Sequence, residues 1–161
     1  MAKMAIQAPP KWLSPAEMEA WRAYIVTSRR LMEILEQALD AHDLSMADYE
    51  VLAQLSDAPG RRMRMSELAE AALLSRSRLS HRMKVMEQSG LIRKEECPDD
   101  RRGAFAVMTA KGWDAIVAAA PDHVASVRRV FTDVLSPADQ KVIASSFATI
   151  QNLMKADPCS S

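Results

Sequence analysis

Between Met65 and Met108 the chain carries, in close order, signals for a short helix, a longer helix, a glycine stop and two strands around a turn. Ser66 predicts the start of a short helix from Glu67 to about Ala72, with Leu68 and Ala69 turned inward. Ser75 predicts the N-cap of the next helix, which Gly90 ends in the C′ position. Leu91-Ile92-Arg93-Lys94-Glu95-Glu96 and Ala104-Phe105-Ala106-Val107-Met108 predict two short strands, joined by the turn-rich Cys97-Pro98-Asp99-Asp100-Arg101-Arg102-Gly103. Few folds accept two short helices followed directly by a hairpin.

The flanks are helical by the same kind of signal. Ser14-Pro15-Ala16-Glu17 joins a capping serine, a proline at the first helical position and a glutamate able to reach back to the cap. From there Met18, Trp21, Ile25, Ser28, Met32, Leu35 and Leu39 recur at steps of three and four. Ser45-Met46-Ala47-Asp48 starts a shorter helix, with Tyr49, Leu52 and Leu55 on one side, which stops at Asp57-Ala58-Pro59-Gly60. Thr109 caps a long helix with the seam Val117, Ala120, Val124, Val127, Phe131 and Val134, and Pro121 predicts a kink or break inside it. Ser136-Pro137-Ala138-Asp139 opens a final helix bearing Ile143, Phe147, Ile150 and Met154. These seams outnumber the surfaces that one small globule could use to cover them, which predicts a homodimer.

Charge narrows the function. Lys and Arg balance Asp and Glu at 21 each, yet eleven of the bases and only seven of the acids lie between Arg61 and Arg102. A basic middle between acidic flanks suits a polyanion-binding module on an acidic scaffold. Two cysteines, Cys97 and Cys159, are too few for a secreted disulfide framework. The opening MAKMAIQAPPKW has no apolar run of signal-peptide or membrane-span length, so a cytoplasmic protein with no membrane partner is expected.

Short helix, turn, capped helix, glycine and hairpin is the order of a winged helix-turn-helix, whose second helix enters the major groove of double-stranded DNA. With Leu79, Met83 and Met86 as the buried stripe, at about 100° per residue, Ser77, His81 and Lys84 point nearly opposite. Arg78 lies to the side and can bond guanine O6 and N7, while Ser77 and His81 reach other base edges. Ser75 heads this face. Arg76 approaches the major groove, and Arg82 and Lys84 are expected at phosphates, which position a protein without specifying sequence. Arg101 and Arg102, at the hairpin tip, suit the narrow minor groove, and Asp100 is expected to orient one of them.

Met65-Ser66-Glu67-Leu68-Ala69-Glu70, Leu74-Ser75-Arg76-Ser77 and Met86-Glu87-Gln88-Ser89-Gly90-Leu91-Ile92 resemble the MarR family of winged-helix regulators. So does Asp100-Arg101-Arg102-Gly103 through Thr109-Ala110-Lys111-Gly112, where Asp100, Arg102, Thr109 and Gly112 fit the family's wing pattern and Met108 replaces its usual leucine. Lys84 stands where many members carry aspartate, and Val85 where many carry a basic residue. The resemblance implies a roughly triangular homodimer with intertwined first and last helices. It also implies repression of a nearby gene, relieved by a small phenolic or other anionic ligand or by an oxidant. A ligand would lie between the dimer helices and the reading head, with Trp21, Tyr24, Arg29 and His42 as candidates.

The expected organisation is mainly α: an extended or disordered arm over 1–13 and a dimerisation helix over 14–44. A DNA-binding domain with a two-stranded wing follows over 45–108, then dimerisation helices over 109–156 and a flexible tail over 157–161. Competing readings have less to stand on. Cys97 is a candidate redox sensor at the wing base, but Glu95, Glu96, Asp99 and Asp100 surround it in sequence and disfavour a thiolate. His42, His81, His123 and Cys97 lack the close spacing of a metal motif, so no metal or other cofactor is expected. Ser75, Ser77 and Ser80 with His81 share one helix and form no catalytic arrangement; no phosphate loop or nucleophile elbow occurs, which argues against an enzyme. A winged helix that binds only proteins stays open at this point.

Overall fold

The computed structural model describes residues 10–72, 74–97 and 100–156, apart from the side chains of Cys97, Asp100, Arg101, Arg102 and Ala156. The expected arm and tail lie largely outside that range. The chain divides into two compact units, Met1–Glu33 and Ile34–Ser161. Most of helix α1 (Pro15–Asp40) belongs to the first unit and its last turns to the second. The capping signature at its start forms as expected: the Ser14 N–H donates to Glu17 Oε2 at 2.7 Å and the Glu17 N–H lies 3.4 Å from Ser14 Oγ. The Ser14 backbone N–H first, and then its hydroxyl, bond the ionised form and hold the Glu17 carboxyl below its ordinary pKa.

The second unit is a mainly helical assembly around a three-stranded antiparallel sheet, a winged helix-turn-helix. It contains α2 (Met46–Asp57), β1 (Arg62–Arg64), α3 (Met65–Ala71), α4 (Arg76–Gln88), β2 (Ile92–Cys97), β3 (Asp100–Met108), α5 (Ala110–Val127) and α6 (Pro137–Ala156). Its core joins Leu52 and Leu55 of α2, Leu68 of α3, Leu79 and Met86 of α4 and Ile92 of β2, all buried. Each such aliphatic side chain contributes about 1.5–3 kcal/mol by leaving water.

The sheet runs in the order β1-β3-β2, so the wing has three strands where two were expected. β1 pairs Arg62 with Val107 and Arg64 with Phe105, and the Arg62 guanidinium lies 3.5 Å over the Phe105 ring. A three-residue strand is too short to show alternation, and only its partner defines it. Its presence also moves the start of α3. The backbone stays extended through Arg64, which becomes the N-cap without a side-chain bond, and Ser66 falls inside the helix instead of capping it.

Pro121 does not break α5, which runs on to Val127; the irregularity comes later, as a π-helical turn over Arg128–Thr132. Gln140 of α6 ties that turn to the next helix, its amide donating to the carbonyls of Thr132 at 2.8 Å and Leu135 at 3.1 Å. Almost every described side chain of α6 is exposed, including Val142, Ile150 and Leu153. At the head of α5 a tight junction forms. The Thr109 hydroxyl lies 2.7 Å from Gly90 O and 3.0 Å from Leu91 O, and it accepts the Gly112 N–H at 3.0 Å. A Cβ on Gly112 would sit 2.1 Å from the Leu91 carbonyl oxygen, so only glycine fits there.

Candidate nucleic-acid interface

Helix α4 begins as its serine predicted. Ser75 Oγ accepts the Arg78 N–H at 3.3 Å and lies 3.2 Å from Ser77 Oγ. Leu79, Met83 and Met86 form its buried stripe, and Arg76, Ser77, Arg78, Ser80, His81 and Lys84 are exposed. The first turn holds no acid. Free backbone N–H groups and the positive end of the helix dipole therefore add to three cationic side chains on one surface. Gly90 follows at φ 74°, a left-handed backbone that turns the chain into β2.

Arg82, expected at a phosphate, faces inward. Its Nε donates to Asp48 Oδ1 at 2.5 Å and one terminal nitrogen donates to Asp48 Oδ2. Asp48 is 3% exposed and also closes the capping box of α2, accepting the Ser45 N–H at 3.0 Å. Sequence reasoning found Asp48 as a cap; nothing in a local window connects it with Arg82, 34 positions on.

On the wing, Glu95 bonds both Arg93 and Arg62, and these cations hold its carboxyl below the ordinary range, Arg93 most strongly. Arg61 lies 3.6 Å over the Trp113 ring. The backbone of Arg101 and Arg102 belongs to β3 beyond a register shift between Glu96 and Cys97. The side chains of these arginines, of Asp100 and of Cys97 lie outside the described residues, as does Cys159.

The four candidate ligand residues divide between the two units. Trp21 and Tyr24 stand together, rings 5.9 Å apart, and both are exposed, as is Arg29. All three belong to the first unit and His42 to the second, where its Nε2 lies 2.8 Å from Asp122 Oδ2. Two hollows border α4. An open one of about 370 Å³ is lined by Ala47, Leu74, Ser77, Arg78, His81 and Arg82. A more enclosed one of about 290 Å³ includes His42, Asp48, Arg82, Val85 and Lys111 in its wall. Among the described residues no group of three or more His, Cys, Asp or Glu is arranged to hold a metal ion, and no helix is long and apolar enough to cross a membrane.

Residues 42–103, which hold the helix pair and most of the wing, match the MarR family model. Over 110 residues the chain is 32% identical to the transcriptional regulator HosA of Escherichia coli O157:H7, covering 68% of this chain and 79% of that one. The chain belongs to the MarR family. Against HosA of Escherichia coli O111:H- the identity is 35% over 79 residues, and the chain spans 57% of that protein's length. Two solved structures from Streptomyces coelicolor extend the likeness to nearly the whole chain. AbsC, a MarR family transcriptional regulator, superposes with a TM-score of 0.89 at 43% identity, covering 92% of this chain and 100% of that one. Sco3205, a MarR family regulator solved in complex with DNA, gives 0.88 at 36% identity, covering 91% and 92%. Members of this family are regulators of transcription, not enzymes.

Proposed function

We propose that the chain works in the cytoplasm as a homodimeric, sequence-specific DNA-binding repressor, released from a pseudo-palindromic operator when a small anionic or phenolic ligand binds. The observation that carries this reading is the exposed face of α4: donors and cations at a capped helix N-terminus, without an acid in the first turn. Arg78 is assigned to guanine O6 and N7, Ser77 and His81 to neighbouring base edges, and Arg76 and Lys84 to phosphates. Ser75 holds the helix start against the backbone. Arg101 and Arg102 are assigned to the minor groove, with Asp100 orienting one of them.

Dimerisation is supported by exposed apolar side chains on helices that carry no DNA-facing residues. Trp21, Val26 and Met32 of α1 are exposed, and so are Val117 and Val124 of α5 and Val142, Ile150 and Leu153 of α6. A soluble monomer rarely keeps so much apolar surface in water. A two-fold dimer would hold its α4 helices about 34–36 Å apart, one turn of duplex. For the ligand, the more enclosed hollow beside α4 places the candidate His42 and Lys111 in one wall, together with Asp43 and the Asp48–Arg82 pair. Trp21 and Tyr24 fit the dimer surface better than a ligand wall, since both are open in the single chain.

Footprinting on DNA upstream of the chain's own reading frame, repeated with phenolic acids and with peroxide, tests the whole reading. Protection of a two-fold site that disappears with a phenolic acid is the expected result. Loss with peroxide alone would transfer the trigger to a cysteine, and no protection on any duplex would remove the DNA-binding assignment.

A further inference from the structure

Arg82 and Asp48 form a pair that the DNA-contacting face does not account for. Among the described residues Asp48 is the one buried charged side chain. Its carboxylate accepts the Ser45 N–H at 3.0 Å and the Ser45 hydroxyl at 2.7 Å, and it takes two parallel bonds from the Arg82 guanidinium. One carboxylate thus closes the start of α2 and grips the middle of α4. The rest of α4's seat is largely apolar. Leu79, Met83 and Met86 pack without directional preference, and methionine is the most adaptable of core side chains. At the far end of the helix the Lys94 N–H reaches Glu87 Oε1 at 3.2 Å. Near the reading face, the directional hold among the described residues is the Arg82 fork.

Arg82 sits one turn beyond Arg78 and next to His81, and all three line the same open hollow. Rotation of α4 about its axis would sweep Arg78 and His81 along the groove floor. A two-pronged bond to a buried, already capped carboxylate resists that rotation in a way that apolar packing does not. We infer that Arg82 is a positioning residue for DNA recognition: through Asp48 it fixes the roll of α4, and so which base edges Arg78 and His81 meet, without touching a phosphate. This rests on the DNA-binding reading above.

The two roles for Arg82 predict opposite effects of Asp48→Asn. Removing a negative charge close to DNA favours binding if Arg82 is a phosphate ligand, because the arginine is then freed. With Arg82 as the positioning residue, binding weakens, since asparagine keeps an acceptor for the cap but turns an amide donor toward the arginine. The probe is a duplex selected by the wild-type dimer from a randomised pool, with affinity measured across a range of salt. Asp48→Asn and Arg82→Gln are each expected to weaken binding on the order of ten-fold, and the double variant no further than either alone. Arg82→Gln is expected to keep the wild-type salt slope, whereas loss of a phosphate contact lowers it by about 0.9. Reselection with Arg82→Gln should return a blurred consensus.

Wild-type or tighter affinity for Asp48→Asn, additive effects, or a reduced salt slope in Arg82→Gln would overturn the inference. Urea unfolding and sedimentation check that each variant remains a folded dimer. Should Asp48→Asn not fold, the salt slope and reselected consensus of Arg82→Gln decide alone. A wild-type chain that selects no duplex removes the DNA-binding reading and this inference together; a selected duplex with an unaltered Asp48→Asn removes only the inference.

Discussion

The reading head and helix α6 use similar side chains to opposite ends. In the head, Leu52, Leu55, Leu68 and Met86 are wholly buried within one chain. On α6, Leu153 is 68% exposed and Ile150 46%. An amphipathic helix gains little from forming unless its apolar face meets another surface, so α6 depends for its stability on something beyond its own fold. The head is finished by one polypeptide; on the dimer reading proposed above, the helical flank is finished by a second copy. The proposed dimer would couple DNA affinity to self-association, because each head alone would offer half of the contacts.

The difference can be broken from either side. The largest effect expected is in the head: Leu52→Ala should lower stability by about 2–5 kcal/mol in urea unfolding, because the void it leaves has rigid neighbours. Next, Ile150→Asp with Leu153→Asp should leave the head folded by circular dichroism while sedimentation shows monomers, and operator affinity should fall about 100-fold or more. Normal dimers from that variant would show that α6 is not the dimer surface. Arg78→Ala should cost about 1–3 kcal/mol of DNA affinity and relax one base position, with stability unchanged. Ser75→Ala should cost about 1 kcal/mol of stability through the lost cap.

The smallest effect concerns His123 of α5. Its ring lies 4.2 Å from that of Tyr49, its Nδ1 is buried without a partner among the described residues, and burial holds its pKa below the ordinary 6.5. Above pH 6.5 it is neutral both folded and unfolded; below, the unfolded chain takes the proton first and stability falls. His123→Phe should flatten that acid-side slope in unfolding curves recorded at successive pH values.

What could be read in advance follows the range of the interaction. Caps at Ser14, Ser45, Ser75, Thr109 and Ser136 formed as expected, because each is settled within three residues. The inward stripe of α4 and the left-handed Gly90 were equally local. β1 was missed because its three residues take their structure from β3, more than forty positions away, and the error at Ser66 followed from it. Arg82 was expected among the DNA contacts because periodicity sets only its angle on the helix. Whether a flanking arginine turns to solvent or to a buried carboxylate depends on where α2 lies.

The junction at Thr109 has a mechanical consequence. With no room for even a methyl group between Gly112 and the Leu91 carbonyl, the root of the wing is welded to the long helix behind it. Tension applied to α5 by a change at the proposed dimer surface would reach the hairpin without slack. The point of closest approach along that route is a position that has no side chain to mutate away.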